Sequence, residues 1–211
     1  MVEARCPRGC TENVSVWSFV RADTDEALRD ALLAGELNLV ACPHCGDLFF
    51  PDAVVVYFDP RADLLAFVFP ESYRAEEARW RGKMREDFER MRAALASEAP
   101  LEADPEIFFG MEACREVLLR QDDLEDEVRV AETLAGRLGL ELGDVERAFA
   151  RRGGLPWRVP LRGPGSGLEP KRIRAGIDAL LASNDRLEGY RRWLDVLSAS
   201  SGPVPARRRP A

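Results

Sequence analysis

The sequence predicts an α+β protein: a small antiparallel sheet clipped at one end, with one helix inserted, followed by a mostly helical C-terminal half. Three observations lead there. Two cysteine pairs, Cys6/Cys10 and Cys42/Cys45, bracket a short stretch of helical periodicity. Apolar runs at residues 48–50, 54–58 and 64–69 follow, with Asp59-Pro60 as a turn between the last two. From Glu71 the composition shifts to Arg, Glu, Ala and Met at helical spacing.

In chain order, residues 13–20 alternate apolar and polar side chains and read as one strand leaving the first cysteine pair. Asp23 or Thr24 would cap a helix, with Asp25 and Glu26 at the positive end of its dipole. Leu28, Leu32 and Leu33 form its apolar stripe, and Gly35 suits the left-handed residue that ends it. Leu37 to Val40 returns as a strand into Cys42. Beyond the sheet, Trp80, Met84, Phe88, Met91 and Leu95 mark one face of a long amphipathic helix over residues 71–99, a stripe suited to core packing or to self-association as a homodimer. Pro100 and Asp104-Pro105 separate it from a second helix bearing Ile107, Met111, Cys114 and Leu118, and a third carrying Leu124 to Leu138. Gly153-Gly154 and residues 160–167 are breakers. The expected division is therefore 1–70 for the clipped sheet, 71–152 helical, 153–169 linker, 170–199 basic helical segment and 200–211 disordered tail.

Cys42-Pro43-His44-Cys45-Gly46 has the form of a metal knuckle, in which two thiolates grip one ion, a proline stiffens the turn and glycine leaves it at positive φ. Half of a tetrahedral site needs another half, and Cys6-Pro7-Arg8-Gly9-Cys10 offers one. The expected ligand set is Cys6, Cys10, Cys42 and Cys45 around one structural zinc, in a zinc-ribbon-like domain. A half site made by the second pair alone, and a ribbon that folds without metal, stay open alternatives. His44, the single histidine, is read as a solvent-facing or supporting group, and Cys114 as a small buried hydrophobe.

The order Trp17, Leu28, Leu32-Leu33, Gly35-Glu36-Leu37-Asn38 and Cys42-Pro43-x-Cys45-Gly46 resembles the bacterial CpXC-domain family. Tyr57-x-Asp59, Pro70, Ile107-Phe108-Phe109-Gly110 and Asp122 to Asp126 are similar to its later landmarks. The resemblance covers roughly residues 1–130 and implies a domain with two Cys-Pro knuckles, presumed to bind zinc, with no established activity. The chain departs from that pattern at the first knuckle, where three residues instead of two separate the cysteines.

Charge separates the ends of the chain. The net charge of −7 conceals 13 basic and 5 acidic side chains over residues 151–211. Such a basic third can dock on the chain's own acidic body, on another subunit, or on nucleic acid. Residues 130–140 followed by Val145 to Ala148 have the rhythm of a helix-turn-helix, although Glu141, Asp144 and Glu146 would repel phosphate from its second helix. With one histidine, no phosphate-binding glycine loop and no Gly-x-Ser-x-Gly, the usual signatures of an enzyme are missing. The expectation is a non-enzymatic zinc-binding protein acting through protein contacts, with no small-molecule substrate evident. The alternative is a nucleic-acid-binding or regulatory protein using the ribbon and the basic third. The acidic start, the absence of a membrane-spanning apolar run and the clustered thiols point to the cytoplasm.

Overall fold

A computed structural model describes residues 1–95, 104–199 and 202–207. The chain divides into two compact units, Met1–Leu118 and Leu119–Ala211. The division falls inside a helix and not in the expected linker.

In the first unit, two small hairpins carry the cysteines. Strands β1 (Val2–Arg5) and β2 (Thr11–Val14) pair antiparallel, as do β4 (Val40–Ala41) and β5 (Leu48–Phe49). A separate four-stranded sheet has the order β3-β6-β7-β8, with β3 at Phe19–Arg21, β6 at Val55–Asp59, β7 at Leu64–Phe69 and β8 at Glu106–Phe109. This sheet is mixed, a correction to the antiparallel expectation. β6 and β7 are antiparallel, while β3 runs parallel to β6 and β8 parallel to β7.

The expected strand over residues 13–20 is two strands in two sheets. Between them, the Asn38 side chain accepts from the Trp17 N–H at 2.8 Å and donates to the Trp17 carbonyl at 2.9 Å. Those two bonds replace a strand neighbour for the chain that crosses from one sheet to the other. Helix α1 (Glu26–Ala34) begins one residue later than expected, after Asp25. Asp23 is committed to the Arg21 guanidinium at 2.7 Å, and the cap position falls to Asp25. Gly35 ends the helix at φ 77°, where its N–H reaches the Leu32 carbonyl at 3.0 Å.

All six residues of β7 are buried, because helices cover both faces of the sheet. Leu64, Ala66 and Val68 pack with Leu32, Leu37 and Tyr57 on one side. Leu65, Phe67 and Phe69 meet Met84 and Phe88 of α2 (Glu77–Leu95) on the other. From Trp80 to Met91 the stripe is thus spent on the chain's own sheet: Met84 and Phe88 are buried, Met91 packs beside them, and Trp80 stacks on Tyr73 with centroids 4.2 Å apart. The Leu95 side chain and the expected end of this helix lie outside the described residues. Ile107 belongs to β8 and not to a helix. Gly110, at φ 83°, turns the chain, and one helix, α3 (Met111–Leu138), replaces the two expected.

In the second unit, β9 (Glu141–Asp144) pairs antiparallel with β10 (Arg158–Leu161), and α4 (Arg147–Gly153) lies between them in sequence. A strand therefore stands where the helix-turn-helix reading needs a turn. Part of the expected linker is β10, and Ala206 of the expected disordered tail bridges to Val145. The rest of that tail, apart from residues 202–207, is outside the described residues. Helices α5 (Pro170–Ser183) and α6 (Glu188–Ala199) complete a core of Ile173, Ile177, Leu180, Tyr190 and Trp193. Buried Tyr190 and Trp193 satisfy their polar ends on the Arg158 and Pro156 carbonyls at 2.8 and 2.9 Å.

Arginines of this unit meet its carboxylates. Arg158 binds Glu132 at 2.6 Å and Asp144 at 2.8 Å, Arg147 binds Glu125 at 3.0 Å, and Arg172 binds Glu141 at 2.5 Å. Arg172 also donates to the carbonyls of Gly163 and Gly167, both at 3.1 Å, and so pins the glycine-rich loop to α5. No helix among the described residues is long and apolar enough to cross a membrane.

Candidate metal centre

Each cysteine pair sits in the turn of a hairpin, because a tight turn leaves side chains pointing from one concave side and glycine can take the positive φ that closes it. In the second knuckle the Cys42 N–H donates to the Asp47 carbonyl and the Gly46 N–H to the Cys42 carbonyl, both at 2.8 Å. In the first, the Cys6 N–H donates to the Cys10 carbonyl at 2.9 Å and the Gly9 N–H to the Cys6 carbonyl at 2.8 Å. Gly9 (φ 89°) and Gly46 (φ 77°) do the same work, but Gly9 does it one position earlier. The second cysteine consequently precedes the glycine in one knuckle and follows it in the other. This accounts for the odd spacing at Cys6 and Cys10: the hydrogen-bonded loop is one residue shorter, and its cysteine stands at the exit.

The structure brings all four sulfurs to within 4.8 Å of one another. A tetrahedral ion with metal–sulfur bonds of ≈ 2.3 Å requires sulfurs about 3.8 Å apart. Cys6 Sγ and Cys45 Sγ are 3.8 Å apart. Cys6 and Cys42 are buried, Cys10 and Cys45 half-buried, and Ala4 and Phe49 pack beside them. The donor set fits a thiophilic ion.

Electrostatics give the same answer. Burial pushes the Cys6 thiol up, but hydrogen bonds from the Cys10 and Arg8 backbone and from the Cys10 and Cys45 sulfurs outweigh it and bring it down to about 7. Sharing a proton with Cys6, together with burial and the Cys42 and Cys45 sulfurs, pushes Cys10 up to about 12. At Cys45 the Asp47 backbone bond lowers the thiol, and burial with the Cys42 and Cys6 sulfurs still leaves it raised. One thiolate is comfortable among these sulfurs, and several require a cation in their midst.

An ion pair and a histidine–carboxylate contact tie the knuckles together. Arg8 Nε lies 2.7 Å from Asp47 Oδ2, and His44 Nε2 lies 2.5 Å from Glu12 Oε1. The His44 ring points to a carboxylate of the opposite hairpin. Neither pair was legible beforehand, because no pattern says which charged loop residue faces which. Cys114 is fully buried among apolar side chains of the sheet and α1, away from the cluster.

The family model described as CpXC protein matches residues 4–133, which include both knuckles, the whole sheet and most of α3. The chain belongs to the CpXC family. Comparison with curated proteins yields no match, and none of the solved structures matches. The CpXC match stops before β9, so most of the second unit lies beyond it.

Proposed function

We propose that this CpXC protein is non-enzymatic, holds one zinc ion through Cys6, Cys10, Cys42 and Cys45, and acts through protein contacts made by surfaces which that ion holds in place. The observation carrying the reading is the closed set of four sulfurs within 4.8 Å of one another, with Cys6 Sγ and Cys45 Sγ already at the 3.8 Å of a tetrahedral site. A tetrahedral four-sulfur site selects zinc or an iron–sulfur centre, and a mononuclear closed site with no free position is the structural zinc arrangement. Zinc binding of this type contributes ~10–16 kcal/mol of folding free energy at neutral pH, ample for two hairpins of two to four residues per strand. The single histidine is occupied by Glu12, and carboxylates of α2 form pairs one helical turn away, such as Glu77–Arg81 and Asp87–Lys83. Engagement of Arg147, Arg158 and Arg172 with carboxylates supports internal docking of the basic third over nucleic-acid binding. A reduced, cytoplasmic setting follows from the free thiolates the site needs.

Elemental analysis of the purified chain is expected to give one zinc per chain and no iron. Partners that copurify are expected to survive nuclease treatment. Loss of the whole partner set to nuclease would sink the protein-contact reading, and iron in place of zinc would sink the metal assignment.

A further inference from the structure

The first unit contains a cleft of about 490 Å³. Its walls come from the stretches that α1, the second knuckle, β7 and α3 leave at their ends. Leu37, Pro51, Val68 and Phe69 are buried where they border it, and its accessible apolar surface comes from Phe50, Ala53, Pro70 and Met111. Gly35, Leu37, Asn38, Pro70 and Gly110, which carried part of the family resemblance, all line this one space. They are not ligands of the metal, so the clasp does not account for them. Gly110 needs its left-handed φ of 83°, and a Cβ there would come within 3.0 Å of the Glu71 carboxylate.

Two further features describe what the cleft would take. The lining includes Asp52, Glu71 and Glu112 and, among the described residues, no basic side chain. The unit around it carries 23 acidic and 13 basic residues over positions 1–118. Glu71 and Glu112 are partly neutralised by Arg74 and Arg115, at 2.5 and 2.7 Å. Asp52, among the described residues, accepts one long bond of 3.4 Å from the Ser72 hydroxyl. The apolar surface also runs out of the cleft. Phe50 is 53% exposed and Leu48, two residues back on the same face, 64%. Leu39 flanks the partner strand, and Trp17, 57% exposed, is fastened to Asn38 at the rim. A compact small molecule would fill the cavity and leave that apolar track uncovered.

We propose that this cleft and track bind an extended peptide segment of a partner protein, with an apolar side chain seated on Phe50, Pro70 and Met111 and a neighbouring Lys or Arg paired with Asp52. The proposal rests on the protein-contact reading above and names the surface and the chemistry of its partner. The acidic unit steers a cationic segment toward it, and the apolar seat sets the register.

The test uses the full-length, zinc-loaded chain and a phage-displayed library of random 12-residue peptides. Enriched sequences are expected to pair an apolar residue with a nearby Lys or Arg. A labelled synthetic copy should bind in fluorescence anisotropy with an affinity that falls at least tenfold in Phe50→Ser and about fivefold in Asp52→Lys. Both positions are exposed, so zinc content and thermal midpoint should stay unchanged, which separates loss of binding from loss of fold. The proposal is overturned by a library that yields no enrichment, by enriched peptides without basic residues, or by binding to Phe50→Ser within threefold of the parent. A concentration-dependent dimer that Phe50→Ser abolishes would also overturn it, since a second copy would then hold the cleft. If peptide binding fails while nuclease-resistant partners persist, the cleft proposal falls and the protein-contact reading stands.

Discussion

Cys10→Ser gives the most direct test of the metal centre, because the first knuckle departs from the usual spacing at that residue. Its sulfur lies within 4.8 Å of the other three, so a shift of about 1 Å completes a tetrahedron with sulfurs about 3.8 Å apart. If zinc binding through four thiolates contributes ~10–16 kcal/mol, one ligand carries about a quarter, roughly 3 kcal/mol. Part of that is regained when water takes the half-buried position. The expected loss in zinc affinity is then about 100-fold, equivalent at saturating zinc to about 2.7 kcal/mol of stability. Over the 118 residues of the first unit, an unfolding entropy of about 2.1 cal/mol/K per residue converts this into a fall of about 10 °C in the midpoint. Competition against a chromophoric chelator measures the affinity and scanning calorimetry the midpoint. Cys42→Ser, in the buried half of the site, should lose more. If Cys10→Ser keeps its zinc affinity within threefold while Cys6→Ser and Cys42→Ser do not, Cys10 is no ligand and the reasoning from sulfur spacing is wrong.

Two other outcomes follow from the packing. In Gly176→Ala the new Cβ would lie 2.2 Å from the Pro160 carbonyl oxygen and 2.8 Å from the Leu161 nitrogen, all backbone, so α5 must move off β10. The cost expected in urea unfolding is at the upper end of overpacking, about 3 kcal/mol, and a loss below 1 kcal/mol would show that the helix sits farther from the strand. Cys114 is fully buried, and burial pushes its thiol up to about 12. Chelated native protein should therefore titrate four thiols and denatured protein five. Because its folded value is above the unfolded value near 9, the stability it contributes is present below pH 9 and lost as pH rises toward 12. Cys114→Ala should flatten the alkaline fall by up to about 1.4 kcal/mol per pH unit, read by denaturant unfolding between pH 9 and 11. An unchanged slope would refute the burial argument.

Local chemistry was readable in the sequence wherever it involved near neighbours. The knuckles, α1 with its Gly35 cap, the β6–β7 pair and the face of α2 all rest on periodicity or turn residues within a few positions. What escaped was set by partners far away in the chain. Residues 106–109 look like the start of a helical pattern, and they become β8 because Phe67 to Phe69 offers an open parallel edge about 40 residues earlier. The sheet is mixed for the same reason, since no hairpin turn announces a parallel neighbour. The break between β2 and β3 depends on the Asn38 side chain reaching back to Trp17. In the second unit, the glycines of the supposed linker are pinned by Arg172, whose side chain is placed by a helix that follows them. Four cysteines could be listed in advance. That they share one point in space depends on two hairpins whose own strands are only two to four residues long.

The two knuckles close a loop of 31 residues between Cys10 and Cys42, and this closure behaves differently from the sheet. Loop-closure entropy grows only with the logarithm of length, so doubling this segment would cost about 0.6 kcal/mol. That is small beside a zinc site of ~10–16 kcal/mol. The clasp fixes where the two ends meet and is nearly indifferent to how much chain lies between them. Proteins sharing it are thermodynamically free to lengthen or exchange the insert that holds β3 and α1, provided the new segment still covers Val55, Tyr57 and Leu64. The length of the insert is therefore a variable through which one metal-bound frame can acquire different surfaces.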